Sequence, residues 1–449
     1  MRHQDSIGGC LPKPIDLLVR LIPLKCVNDP SAGLKPDPNC VSGVEDVMRA
    51  SGMDPRVIES GGFYTLYDIY GSGEPVVLYL AHYDVVPPGP SWTSDPFSPM
   101  VRGGRLYGRG SADDLGNVAI ISSAYREMAR VVDKNGGTLV VAFTGDEEIG
   151  GLNGARVLRD YLRSKGLYPS YVVNADGSGM VVINRRRNAF KITIETEPRK
   201  TMARGAVKRI SSSLRSRSYH AAYFIPGSDV HPLIEIARIV YEEDLSVISL
   251  GGDFVKTNVL PQRVWADVLE PGGGGDVEID IGLREALKAI IPVTRLSVEQ
   301  DFPSIYGITA TPNIYYSTSS RHIFEIDLRA PLKDREKLEK AVRSIAEDLP
   351  GDIVIRVSGG GGYLNTPRSS RIVSKALKTL ERIGLEGRAV ERAGASDSRY
   401  FSPEGVEAID FGPVGGNIHG PDEYVDIWSL GKTREFYIEI LGELLRKEE

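Results

Sequence analysis

Four short β-branched runs in the chain each end in residue types that bind hard divalent metals. The run at 76–81 leads into His82 and Asp84, and the run at 139–143 leads into Asp146, Glu147 and Glu148. The run at 171–173 leads to Asp176, and the run at 408–411 passes through a glycine-rich turn to His419. In a parallel α/β sheet, ligands and catalytic groups gather outside the carboxyl ends of the strands. Four separate positions would then converge on one edge, with two imidazoles and several carboxylates. Such a set holds divalent metal ions, and its oxygen-rich character with only two His admits Co²⁺ or Mn²⁺.

His82 and Asp84 are two apart, so on an extended segment both side chains face the same way. Asp84 could then accept the far ring N–H of a metal-bound His82 and fix its tautomer. Taken alone, the pair also fits a strand-end His followed by a turn Asp. The loop Gly-Arg-Gly-Ser-Ala-Asp-Asp-Leu-Gly at 108–116 sets Asp113 and Asp114 before a helical pattern. It lacks the third glycine of a dinucleotide loop and the Gly-Lys-Ser/Thr of a phosphate loop, and acids at a helix start repel phosphate. One acid is expected to cap the helix, leaving the other to bridge metals. In the run Asp146, Glu147, Glu148, adjacent side chains would leave an extended backbone on opposite sides. One Glu could ligate metal while its neighbour reaches the water to be activated. An acidic surface turn competes with that reading. Asp176 and His419 are weak signals singly, but five such positions at strand exits require five coincidences if no site exists. His231 and His322 match no motif and read as structural, and His3 belongs to the terminus.

The 449 residues exceed one ordinary core, so two domains are expected. Hydrophobic residues at 41% and charged residues at 25% are ordinary globular values. No apolar run approaches the roughly 18 residues of a membrane span, and the N-terminus lacks a signal-peptide pattern. A cytoplasmic protein is expected. The three cysteines, Cys10, Cys26 and Cys40, match no metal motif and are odd in number, so buried free thiols are expected. A single bridge would fit a hyperthermophilic source, a direction to which only three Gln also point. The net charge of −6 is uneven, because residues 185–217 carry eleven Lys/Arg against Glu195 and Glu197. A solvated face or dimer contact, an anionic substrate, or nucleic acid could each account for that block. Its single aromatic, Phe190, disfavours a base-stacking platform.

The elements that must position these residues alternate. The first ~65 residues read as helical turns broken by a Pro-rich stretch at 29–38, and strand-like and helical runs then alternate to 183. A helix is expected at 115–131. From Phe190 the texture changes, with strands at 190–194, 323–327 and 353–357, and helices at 232–241 and 333–348. Glycine-rich breaks at 271–275 and 359–362 separate elements. After them a helix at 369–383 and the 408–411 strand restore the first texture. The metal-site domain is therefore split, as 1–186 and 358–449, around an inserted domain at 187–357.

These motifs together resemble the dinuclear-zinc aminoacylase/carboxypeptidase family, whose members include succinyl-diaminopimelate desuccinylase, acetylornithine deacetylase and glutamate carboxypeptidase. His82-x-Asp84, the loop with Asp113 and Asp114, Asp146-Glu147-Glu148, Asp176 and Gly-x-x-His419-x-x-Asp-Glu stand in family order, and the match spans most of the chain from about Val76 to Leu430. The resemblance implies an α/β fold, with a largely parallel-sheet zinc-peptidase catalytic domain and an inserted α+β lid that forms a homodimer. It implies that Asp113 bridges two metals, with His82 and Asp176 on one and Glu148 and His419 on the other. Asp84 would orient His82, and Glu147 would act as general base. In the lid, His220 matches a histidine offered to substrate and Arg329 an arginine that grips a carboxylate. Asn258 resembles another lid contact, at unusually long sequence distance from Arg329. The loop at 394–399 resembles a substrate loop, with Gly394 and Ser396 as contacts and Ala395 where a threonine is common.

The expected activity is metal-dependent hydrolysis of an amide bond in a small N-acyl amino acid, N-succinyl or N-acetyl first, whose carboxylate the site recognises. A dipeptidase or carboxypeptidase is the alternative within this chemistry. A non-catalytic nucleic-acid or ligand-binding protein is the alternative outside it.

Overall fold

The computed structural model describes residues 12–350 and 352–446; Cys10 and His3 lie outside them. The chain divides into two compact units: Met1–Arg185 with Leu364–Glu391 and Ser396–Glu449, and Arg186–Tyr363 with Arg392–Ala395.

The first unit is built on a nine-stranded sheet. At its centre stand four parallel strands in the order Gly137–Thr144, Val76–His82, Tyr171–Asn174, Glu407–Asp410. Every residue of Val76–His82 and Gly137–Thr144 is buried, as expected for parallel strands covered on both faces. Antiparallel strands extend both sides, Phe63–Ser72 and Arg56–Ser60 on one and Val182–Arg186 on the other. Strand structure thus begins at Arg56, earlier than the helical texture of the sequence indicated. Phe63–Ser72 is rich in aromatic residues that fit a pleated surface. The helix Leu115–Asn135 packs beside Ile427–Leu445. Its second residue must be glycine, because a Cβ on Gly116 would collide with the Ser111 carbonyl oxygen.

The expectation of free thiols does not hold for two of the cysteines. Cys26 and Cys40 form a disulfide, with Cα atoms 5.4 Å apart and both residues sealed from solvent. Lys25, in the left-handed region at φ 55°, ends the 3₁₀ turn Ile22–Leu24 and turns the chain toward the helix Pro38–Ala50. Asp37 caps that helix by accepting from the Cys40 N–H at 2.8 Å. Closing a loop of 14 residues constrains the unfolded chain by about 3 kcal/mol.

The second unit holds two antiparallel sheets. One has the order Thr309–Ser317, His322–Ala330, Asn188–Thr196, Val354–Gly359; the other has Lys200–Ser213, Arg263–Asp280, Ser246–Gly252. Strict alternation along Asn188–Thr196 turns Phe190, Ile192 and Ile194 inward against Leu233, Ile236 and Leu287 of the helices Pro232–Glu242 and Ile281–Thr294. The glycines at 272–275 do not separate elements. They lie within Arg263–Asp280, where a bulge opposite Gly205 and Ala206 absorbs the extra residues. Five of the eleven basic residues at 185–217 meet acids of their own unit. Lys200 meets Glu278 at 2.8 Å, Lys208 meets Glu270 at 2.5 Å and Arg209 meets Asp267 at 2.8 Å, while Lys191 and Arg199 face Glu325 and Asp352. His231 caps its helix and holds Asn313 at 2.9 Å, and burial pushes its pKa down to about 4. His322 lies between Asp280 at 2.9 Å and Tyr315 at 3.1 Å.

Back in the first unit, a small antiparallel sheet joins Met100–Arg102, Arg105–Tyr107, Tyr424–Asp426 and Gly415–Gly416. It brackets the two loops that carry Asp113 and His419. Glu423, fully buried, fixes the first of them. Its carboxylate accepts from the N–H groups of Gly110, Ala112 and Asp113 at 2.9–3.0 Å and from Arg109 Nη1 at 2.6 Å. Arg109 is also buried, so each charge depends on the other. Glu423→Ala should therefore destabilise the protein by roughly 3–5 kcal/mol, because a buried guanidinium and three N–H groups lose their acceptor. Chemical denaturation measures this, and a loss under about 1 kcal/mol would contradict the assignment of Glu423 as the anchor.

Candidate metal centre

Each of the four central parallel strands delivers its metal-type residue at the same edge. His82 is the last residue of its strand; Glu147 and Glu148 follow Thr144, Asp176 follows Asn174, and His419 comes from the loop beyond Asp410. Two groups of potential ligand atoms result. His82, Glu147 and Asp176 form one, Asp113, Glu148 and His419 the other, and within each group the atoms lie within 4.8 Å of one another. Asp113 joins the groups, with Oδ1 3.0 Å from His82 Nε2 and Oδ2 3.0 Å from His419 Nε2. Glu148 Oε1 is also 3.0 Å from His419 Nε2.

The donor chemistry shows whether these residues fit a metal. His82 Nδ1 lies 3.0 Å from the Asp84 carbonyl oxygen and 3.4 Å from Asp84 Oδ1. Both partners accept, so Nδ1 carries the ring proton and Nε2 of the neutral imidazole presents its lone pair to Asp113. Two electron-rich atoms at 3.0 Å require a cation at this point, a proton or a metal ion. The pKa directions express the same demand. Burial works against protonated His82, but Asp113 and Asp84 outweigh it and hold its pKa well above the ordinary value. His419 is raised in the same way by Glu148 and Asp113. Burial alone would raise Asp113, yet the two imidazoles hold it far below its ordinary value. The set fits a pair of divalent ions sharing one carboxylate.

Local backbone departs from the sequence expectation at two places. Residues Glu147–Ile149 form a 3₁₀ turn, not an extended segment. The turn still sends Glu147 to one ligand group and Glu148 to the other. Asp114 occupies the helix N-cap position without a capping hydrogen bond. Its carboxylate accepts from the His82 N–H at 3.1 Å and from Asn117 Nδ2 at 2.7 Å, and burial pushes its pKa up to about 7. Asp114 thus ties the strand end to the helix start, which its position in the sequence did not reveal. His419 sits at φ 63°, a conformation uncommon for a residue with a side chain and typical of functional loops.

Close to Glu147 lies a charged group drawn from its own acidic run and from the 394–399 loop. Asp146, Asp397 and Arg399 are all buried. Burial and the Asp397 charge push Glu147 up to about 8, and the same two causes push Asp146 up to about 7. Burial also raises Asp397 to about 6 against the pull of Arg399, whose Nη2 is 3.6 Å away. Gly151 admits this packing, since a Cβ there would collide with Asp397 Oδ1. Ser396 donates its hydroxyl to Asp410 Oδ2 at 2.7 Å.

The remaining substrate candidates belong to the second unit. His220 Nδ1 accepts from the Ala222 N–H at 3.0 Å, and the Asn258 carbonyl accepts from the Ala221 N–H at 2.9 Å, so these two residues are neighbours. Arg329 makes a two-point pair with Asp327, both distances 2.7 Å. The Gly394 carbonyl accepts from Arg186 Nη1 at 3.4 Å.

Known proteins are similar to this chain in sequence and in fold. The chain is 27% identical over 424 residues to a succinyl-diaminopimelate desuccinylase from Xanthomonas euvesicatoria pv. vesicatoria, covering 91% of this chain and 94% of that protein. Among solved structures, an aminoacylhistidine dipeptidase from Vibrio alginolyticus superposes with a TM-score of 0.72 at 15% identity, over 99% of both chains. A dinuclear metal-binding peptidase of the M20 family from Bacillus subtilis superposes with a TM-score of 0.51 at 12% identity, over 96% of this chain and 98% of that one. The family profile of peptidase family M20/M25/M40 matches residues 78–443, a stretch that contains every residue of both ligand groups. The chain belongs to peptidase family M20/M25/M40 and is a metal-dependent hydrolase of amide bonds.

Proposed function

We propose that the protein removes the acyl group from a small N-acyl amino acid, an N-succinyl amino acid first and an N-acetyl amino acid second. The observation that carries the chemistry is Asp113, with one oxygen 3.0 Å from each of two imidazoles. The similarity over nearly full length to a desuccinylase supports the choice of acyl group. His82 and Asp176 would hold one zinc ion, Glu148 and His419 the other, and Asp113 both. Bound there, the ions would polarise the amide carbonyl and lower the pKa of water. The protein's own groups do the rest. Asp84 keeps the His82 proton on Nδ1. Glu147 takes a proton from the attacking water and passes it to the departing nitrogen. His220 would stabilise the oxyanion, with Asn258, Gly394 and Ser396 as further substrate contacts. Arg329 would grip a substrate carboxylate, which requires Asp327 to share or release it. The resemblance supports a homodimer formed through residues 187–357. A cytoplasmic location belongs to the same proposal, and a fully buried Cys26–Cys40 bridge is compatible with it. A non-catalytic nucleic-acid binder gains no support from a basic block paired with acids.

Hydrolysis of a panel of N-succinyl and N-acetyl amino acids and dipeptides, by chelated, Zn²⁺-loaded and Co²⁺-loaded protein, tests the reading. Metal-dependent release from the N-acyl class is expected; release from dipeptides alone would replace deacylation with dipeptidase activity. Glu147→Ala should abolish turnover while metal content stays near wild type, as measured by elemental analysis. Loss of one metal would make Glu147 a ligand and not the base. His220→Ala should lower kcat by about 10²–10³-fold with little change in KM, as for removal of an oxyanion donor. Unchanged steady-state kinetics would remove His220 from the mechanism.

A further inference from the structure

Asp84 is fully buried and accepts from three directions besides the His82 ring. The N–H groups of Glu147 and Glu148 donate to its two oxygens at 3.1 and 3.2 Å. The third donor is Asn28 Nδ2, 2.9 Å from Asp84 Oδ2 and 3.5 Å from the Gly145 carbonyl. Both partners only accept, so the amide orientation is dictated by chemistry. Asn28 is itself buried. It is aimed by the segment before it: Asn28 N–H donates to the Val85 carbonyl and Val85 N–H donates to the Cys26 carbonyl, both at 2.9 Å. Cys26 is bonded to Cys40 on the helix Pro38–Ala50. One continuous set of contacts therefore runs from the disulfide through residues 26–28 to the carboxylate that touches His82 and the backbone of both glutamates.

We infer that Asn28 is a positioning residue of the metal centre, holding Asp84 in register with His82, Glu147 and Glu148, and that the Cys26–Cys40 bridge holds Asn28 in place. The inference rests on the reading of these residues as a metal centre. A carboxylate behind a ligating imidazole is effective only at a fixed distance and angle, and loss of such a support costs about 10–100-fold in metal affinity or activity. Asn28 lies far from every ligand in sequence and belongs to none of the motifs. Its place at the centre depends on the N-terminal segment being pinned beside residue 85.

The test uses the full chain and Zn²⁺ as the probe. Wild type, Asn28→Ala, the Cys26→Ser/Cys40→Ser double variant and Leu380→Ala are compared. Leu380 is buried in the helix Arg371–Arg382 and controls for a general loss of stability. Two quantities are read: amide hydrogen exchange at Glu147 and Glu148 in the metal-free protein, and zinc affinity by chelator competition. Asn28→Ala should speed exchange at these two amides and weaken zinc binding about 10–100-fold. The double variant should move both readouts the same way by less, and Leu380→Ala should leave both near wild type. Wild-type exchange and zinc affinity in Asn28→Ala would overturn the inference. If Asn28→Ala does not fold, Asn28→Ser and wild type reduced with dithiothreitol take its place with the same expectations. If wild type binds no zinc yet the two amides respond, the metal reading fails and the positioning of Asp84 stands. Zinc binding with unresponsive amides and unchanged affinity leaves the metal reading intact and removes Asn28.

Discussion

Asp113 presents one oxygen to each of two imidazoles whose lone pairs face it, and the first unit is organised around making that contact possible. Such a juxtaposition is stable only with positive charge at its centre, so the surrounding protein must supply rigid support without supplying the charge. Glu423 holds the Asp113 loop through three N–H groups and Arg109, Asp114 ties that loop to the His82 strand, and Asp84 braces the imidazole from behind. Each support is a buried carboxylate with several donors, the arrangement in which burial of a charged acceptor is tolerable.

The parallel sheet explains how one centre draws on five distant parts of the chain. Adjacent parallel strands end at a common edge, and whatever follows each strand is brought together without further design. The centre is not assembled from loops alone. His82 is still within its strand, and the glutamates follow theirs after two residues, Gly145 and Asp146. Ligands attached to buried, fully paired strands move little, which suits a site that has to hold atoms within tenths of an ångström. Asp113 and His419 come from loops, and the small antiparallel sheet brackets both of them.

A second layer of acids lies behind the first. Asp146 and Asp397 have pKa values raised to about 7 and about 6 beside Glu147, with Arg399 the nearest positive charge to Asp397. Burial is the first cause in both, so this layer sets the electrostatic surroundings of the proposed base through packing. The second unit, by contrast, spreads its charges along strand pairs at the surface. There each ion pair contributes little to stability, and five of the eleven basic residues at 185–217 take part in such pairs.

The sequence by itself determined the strand exits, the residue types that stand at them and hence the kind of chemistry, because strand periodicity and ligand chemistry are local properties. It also marked the change of texture near Phe190, since a mixed buried pattern and an alternating one differ within a few residues. Contacts between residues far apart were decided only by the tertiary structure. Glu423 meets Asp113, Asn28 meets Asp84 and Asp397 influences Glu147 across hundreds or tens of positions, and no spacing rule links them. The bridge between Cys26 and Cys40, and the 3₁₀ turn at Glu147 with its backbone hydrogen bonds from Ile149 to Asp146 and from Gly150 to Glu147, likewise became visible only in the tertiary structure. Asp114 left its expected capping role because the buried His82 N–H competed for its carboxylate. Local pattern specifies which groups can do chemistry, whereas burial and long-range hydrogen bonding decide which neighbours hold them in place.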